Sequence, residues 1–310
     1  MRHAEREDRA EEDKGRDWVS GAERPHDTPI TEHGRAQARA AAREYQQQGL
    51  KVVKILASPL IRCVQTAHEA ATLFGLTQIH VEQGLVEEAK SMRGYKHPEK
   101  RPNWSPLLLD PAALQQRASP LVVVDHTSLA PVSHVRDADI GYNEVLEVDP
   151  RDPGSRDVHK ITRDRCERAA RAIAEACLAE FADHEEDVAV LCVGHGASIG
   201  GLARGLQLGL PKDVAMSAWG DRSSYTCFAR FDVVAVDQQP PGGTAGGTAG
   251  GDGDDVCCVP GVRFHPAFDA WQSAHLSRLS GDGLRLWLRS GAEEPGKGRP
   301  EDAGGPGADA

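Results

Sequence analysis

Arg2-His3-Ala4-Glu5-Arg6 sets two guanidinium groups on either side of one imidazole. An unprotonated imidazole nitrogen is a nucleophile. A phosphoryl group is an electrophile whose oxygens arginine binds through paired hydrogen bonds. Two later segments carry residues of the same kind. Ser58-Pro59-Leu60-Ile61-Arg62 brings a third arginine to the first turn of an expected helix, where free N–H groups and the dipole end favour an anion. Val193-Gly194-His195-Gly196 brings a second histidine between glycines that let backbone approach a ligand. Taken singly, each has a plain structural reading: a solvated basic terminus, a surface arginine, a histidine closing a strand. Together, two histidines and three arginines at strand ends suit a phosphate dianion.

The elements that must position these groups follow from pattern. Thr31 is the expected cap of a helix whose body, Arg35 to Gln48, is rich in alanine and stopped by Gly49. Lys51 to Ala57 reads as a strand ended by Ser58-Pro59, then Arg62 to Phe74 as a helix closed by Gly75. Gln78 to Val81 reads as a further strand, followed by the loop Glu82 to Glu88. Asp157 to Ala182 is a long helix with a discontinuous apolar face. Val188 to Val193 is wholly apolar, as expected of a central strand buried on both faces. A helix is expected from about Ala197 to Leu208, and one or two strands from Tyr225 to Val236.

Strand and helix alternating in this way predict an α/β fold: three layers, a mostly parallel sheet with helices on both faces. Ligands of such sheets sit at the carboxyl ends of the strands. Residues 7–29, charged and punctuated by Gly15, Gly21 and Pro25, read as a long loop with Trp18 as its anchor. Residues 89–155 are broken by eight prolines, with Leu121 to Val124 as a short strand. They read as an insertion over the active-site end of the sheet. The Gly-Gly-Thr-Ala repeat in 237–255 reads as a linker, 256–288 as a segment able to pack back on the domain, and 289–310 as a disordered tail.

Composition excludes several functions. The 310 residues carry a formal net charge of -11 and a pI of about 5.6. That is not the basic surface of a general nucleic-acid or anionic-membrane binder. No apolar run reaches the roughly 18 residues of a membrane span, and no signal peptide is visible. Seven cysteines without a Cys-x-x-Cys pair read as reduced thiols of a cytoplasmic protein. No His-Glu-x-x-His and no phosphate-binding Gly-x-x-x-x-Gly-Lys-Ser/Thr loop is present. The expectation is therefore no metal and no cofactor.

The three motifs in order, Arg2 to Arg6, Ser-Pro-x-x-Arg-x-x-x-Thr-Ala at 58–67 and Gly-His-Gly at 194–196, resemble the histidine phosphatase superfamily over roughly residues 1–236. That superfamily has the phosphoglycerate-mutase-like fold. Arg62 to Ala67 and Gly84-Leu85-Val86-Glu87 look most like the branch of the suppressor of T-cell receptor signalling and ecdysteroid-phosphate phosphatases. The resemblance implies a phosphomonoesterase that needs no metal. In it His3 attacks phosphorus, while Arg2, Arg6, Arg62 and His195 hold the phosphoryl oxygens. Glu87, or its neighbour Glu88, protonates the leaving oxygen. The substrate would be a phosphorylated small molecule or a phosphoprotein.

Two departures stand out. Ala4 replaces the glycine that usually follows the family's catalytic histidine. The central apolar strand ahead of Arg-His is reduced to Met1, so the first strand is expected to be truncated. Met1 is then expected to be an internal methionine of a longer natural chain, or a misassigned start. Two other functions compete. A phosphoglycerate mutase would carry Glu-Arg-His-Tyr-Gly where this chain reads Glu87-Glu88-Ala89-Lys90-Ser91. A phosphate-binding protein without catalysis would lose core residues that are all present here.

Overall fold

The structure is a computed structural model that describes residues 1–87, 108–129, 158–184, 186–196, 198, 225–226, 232–233 and 262–263. Its centre is a parallel sheet of β1 (Val52–Ala57), β2 (His80–Val81) and β3 (Ala189–Val193), in the order β2-β1-β3. Leu56 pairs with His80 on one side of β1 and with Cys192 on the other. Isolated parallel bridges extend the sheet at both edges, Ile79 to Val122 beyond β2 and Arg2 to Gly194 beyond β3.

Side chains alternate across β1 and β3, as a period of two requires. Ile55, Ala57, Leu191 and Val193 face helices α3 (Glu32–Gln47) and α4 (Ile61–Phe74), packing with Ala41, Ala42, Tyr45, Val64 and Ala67. Leu56, Val190 and Cys192 face α6 (Val158–Glu180), packing with Leu85, Ile173 and Cys177. The expected three layers, with helices on both faces of a parallel sheet, are the observed architecture. β3 departs from expectation in one respect. Val190 and Cys192 are only half-buried.

The helices end where local chemistry ends them. Thr31 Oγ1 accepts from Gly34 N at 2.8 Å at the start of α3. Asp27, distant in sequence, accepts from Ile61 N at 2.7 Å at the start of α4. Gly75 closes α4 at φ 69°, where a side chain would be strained. Arg35 and Arg39 of α3 clasp Glu69 of α4 at 2.8 and 2.7 Å.

Residues 7–29 are not a plain loop. They form α1 (Glu7–Asp13) and α2 (Trp18–Gly21). Ion pairs one helical turn apart, Arg9–Glu12 at 2.6 Å and Lys14–Glu11 at 2.9 Å, support α1, and Asp17 caps α2 by accepting from Ser20 N. Trp18 Nε1 donates to Glu7 Oε2 at 3.2 Å and ties the two together. In the insertion, α5 (Pro111–Arg117) forms despite the prolines, because Pro111 stands at the first helical position and Asp110 caps it. The strand expected over Leu121 to Val124 is a single bridge at Val122. The described part of the insertion packs on the β2 edge through Leu109, Leu114, Leu121 and Val122.

Tyr225 and Thr226 form a turn, not the start of a strand. β4 (Asp232–Val233) does form in the expected region and pairs antiparallel with β5 (Val262–Arg263). Most of the helix expected at 197–208, the 237–255 repeat, most of 256–288 and the 289–310 tail lie outside the described residues. No helix among the described residues is long and apolar enough to cross a membrane.

Candidate active site

Three adjacent parallel strands deliver the motif residues to one edge. Met1 to His3 run beside the end of β3: Gly194 N donates to Met1 O and His3 N to Gly194 O, both at 2.9 Å, while the Met1 amino group donates to Cys192 O at 2.7 Å. Ser58 N donates to Val193 O at 2.9 Å on the other side. His3, Ser58 and His195 therefore leave the sheet at its carboxyl end. A Cβ at Gly194 would lie 3.2 Å from that of Ser198, a contact tight enough that Ser198 would have to shift.

The segment after His3 is pinned from below. Ala4 N donates to Thr66 Oγ1 at 3.0 Å, and Thr66 Oγ1 donates to Arg62 O at 2.7 Å. Glu5 N donates to Gln37 Oε1 at 3.0 Å, and Thr31 Oγ1 to Glu5 Oε2 at 2.5 Å. The first turn of α3 runs so close beneath Glu5 that a Cβ on Gly34 would lie 2.7 Å from the Glu5 carbonyl oxygen.

The functional side chains then meet. The rings of His3 and His195 lie edge to face, 5.3 Å between centroids. His3 Nδ1 lies 2.8 Å from Ala4 O. A carbonyl only accepts, so Nδ1 carries the hydrogen and Nε2 keeps its lone pair. His195 Nδ1 is 3.2 Å from Glu87 Oε2, and its Nε2 is 2.8 Å from Ser58 Oγ. Arg62 Nη2 stands 3.6 Å from the same Glu87 oxygen, and Arg62 Nη1 donates to His26 O at 3.2 Å. Arg62 Nε is buried and has no hydrogen-bond partner among the described residues. The guanidinium thus keeps a donor in hand inside a buried site.

Burial and nearby cations set the protonation states. His3 is held well below the ordinary histidine range, first by burial, then by Arg62, Arg2 and His195. His195 is lowered to about 4, again by burial, with Glu87 pulling the other way. Both rings are neutral at pH 7. Cys63 Sγ lies 3.4 Å from His195 Nε2, and burial pushes this thiol up to about 12, which keeps it protonated.

Glu87 follows the turn Gln83–Leu85 and is held through its backbone. Ser198 Oγ donates to Leu85 O at 2.9 Å, and Arg165 Nη2 to Val86 O at 2.6 Å. Glu88 lies outside the described residues. Arg6 caps α1 and grips Asp8 with two hydrogen bonds of 2.9 and 2.5 Å. Two supports had no distinctive signal in the sequence, Arg165 within the charged face of α6 and Tyr225, whose ring lies 5.8 Å from that of His3, whereas Ser198 stands in Gly196-Ala197-Ser198-Ile199-Gly200.

Among the described residues, one group has the donor set for a cation: His3, Glu87 and His195, with donor atoms within 4.8 Å of one another. Arg62 beside Glu87, and Arg2 close enough to depress His3, bring two positive charges against one carboxylate. That balance favours an anion over a divalent metal.

The model of the histidine phosphatase superfamily (branch 1) matches residues 1–120. Over that stretch the chain is similar to the histidine phosphatase superfamily. Among solved structures, the chain is similar to the ecdysone phosphate phosphatase of Bombix mori in complex with tungstate. Identity is 19% over 69% of this chain and 78% of that one, with a TM-score of 0.43. It is also similar to a mycobacterial glucosyl-3-phosphoglycerate phosphatase, 21% identical over 72% and 82% of the two chains, with a TM-score of 0.36. A phosphoserine phosphatase mutant of Entamoeba histolytica bound to phosphoserine is 17% identical over 67% and 83%, with a TM-score of 0.29. No curated protein matches the chain.

Proposed function

We propose that this chain is a phosphomonoesterase of the histidine phosphatase superfamily that works through a phosphohistidine on His3 and needs no metal. One observation carries the reading. His3 Nδ1 is committed to the Ala4 carbonyl, which leaves Nε2 as a buried lone pair beside Arg62, His195 and Glu87. In the first step Nε2 attacks phosphorus and the bond to the ester oxygen breaks. Glu87 gives that oxygen its proton. In the second step water attacks the phosphohistidine, gives its proton to the Glu87 carboxylate, and inorganic phosphate leaves.

Arg62 and Arg2 offset the phosphoryl charge, and the Arg62 Nε held without a partner is a donor for a phosphoryl oxygen. Arg6 shares its charge with Asp8, so it contributes less. His195 orients Glu87 and is itself oriented by Ser58. The substrate would be a phosphorylated small molecule or a phosphoprotein.

His3→Ala tests the proposal. Wild type incubated with a phosphoester should trap acid-labile, base-stable phosphate, and His3→Ala should trap none and turn over no substrate while keeping its melting temperature. Full turnover by His3→Ala would end the proposal. Transfer to an added alcohol, in place of release of inorganic phosphate, would redirect it to a mutase-like phosphotransferase.

A further inference from the structure

Tyr225 and Thr226 form a turn far along the chain from the three motifs, yet they close on the first of them. Thr226 is fully buried and sits at φ 57°, a conformation that a β-branched residue adopts only when its surroundings impose it. Its N–H points at the His3 carbonyl oxygen, 3.4 Å away. The turn directs the Tyr225 ring against two active-site groups at once. The Arg2 guanidinium carbon lies 4.9 Å from the ring centroid, and the His3 ring lies 5.8 Å from it at 49°.

A guanidinium over an aromatic face is held by the ring quadrupole, and more strongly where water is excluded. The imidazole gains a tilted aromatic contact at the same ring. Arg2 is a long side chain on an isolated bridge to Gly194, so it has many rotamers to lose before it can meet an anion. A shelf that restricts it in advance removes part of that cost.

We infer that Tyr225 is a positioning residue of the phosphate site, whose ring sets Arg2 and the His3 imidazole in register for one phosphoryl group. This rests on the phosphate-site reading above and adds a residue that none of the three motifs contains. The ring face is what acts, so the phenol hydroxyl is dispensable.

Binding of inorganic phosphate, measured by titration calorimetry on the full chain, tests the inference apart from turnover. Tyr225→Leu should weaken phosphate about tenfold, or about 1.4 kcal/mol, and Tyr225→Phe should restore most of the affinity. In an Arg2→Ala background, Tyr225→Leu should cost less than about twofold, since the two residues act as one unit. If Tyr225→Leu does not fold, Tyr225→Met, which fills the space without a π face, takes its place with the same expectations. Wild-type affinity in the Leu or Met variant would overturn the inference. So would a Phe variant as weak as Leu, or full additivity with Arg2→Ala. Phosphate binding without turnover in the wild type would defeat the phosphatase reading and leave this one standing. A wild type that binds no phosphate would defeat both.

Discussion

The two faces of the sheet hold the two halves of the site by different means. On the α3 and α4 face, Ile55, Ala57, Leu191 and Val193 pack into a large aliphatic cluster, and the turns that carry Ser58 and Arg62 grow directly out of it. On the α6 face the buried cluster is Leu56, Leu85 and Ile173, with half-buried neighbours. Glu87 follows a segment tied to that face by side-chain-to-backbone hydrogen bonds, among them Ser198 Oγ to Leu85 O and Arg165 Nη2 to Val86 O. Close packing holds position to within a fraction of a bond length. A loop tied by hydrogen bonds can open locally at lower cost. The groups proposed to bind phosphate thus sit on the stiff face, and the proposed proton donor on the softer one.

The sharpest way to separate the halves is chemical. Glu87→Gln should slow hydrolysis of an alkyl phosphate by about 10²–10⁴-fold, the usual scale of general acid catalysis. A nitrophenyl phosphate, whose leaving group needs little protonation, should suffer far less. Equal losses on both esters would mean that Glu87 binds phosphate and does not donate a proton. If Glu88→Gln shows the split and Glu87→Gln does not, the donor is Glu88.

The packing difference should show in stability. Ile55→Ala, at a fully buried position of the larger cluster, should cost toward the upper end of about 2–5 kcal/mol in urea unfolding. Ile173→Ala on the α6 face, partly open at 8% exposure, should cost about 2 kcal/mol, the low end of the same range. Equal costs would show that the two faces are equally rigid.

The smallest effect is expected from the tether. Arg165→Ala removes the hydrogen bond to Val86 O and should lower alkyl phosphate turnover about tenfold, within the range for a hydrogen bond from a charged group. Nitrophenyl phosphate turnover should stay within about twofold of wild type. A matching loss on both substrates would mean that Arg165 supports the whole site and not Glu87 alone.

How much of this was legible beforehand differs by element. Helices α3 and α4 and strand β1 could be drawn to within a few residues, because their caps and stops are local. Thr31, Gly49, Ser58-Pro59 and Gly75 each act on backbone within one turn. α1 was missed because its support comes from ion pairs along a charged face, which reads as loop when glycine and proline are given more weight. The Leu121 to Val124 run has the composition of a strand, but pairing is a non-local event, and only Val122 found a partner.

The sequence by itself determined the residue types of the site and the kind of element that ends at each. Arg-His-x-x-Arg, Ser-Pro-x-x-Arg and Gly-His-Gly are short, and their chemistry depends on spacing within a few residues. Only the tertiary structure decided which partner each group faces. His3 and His195 are 192 positions apart and meet because two parallel strands end side by side. Arg6 turns to Asp8, Ser58 to His195, and Tyr225 to Arg2 and His3. Such choices follow from burial, since a polar group taken out of water must find its partner among whatever groups the fold brings within reach.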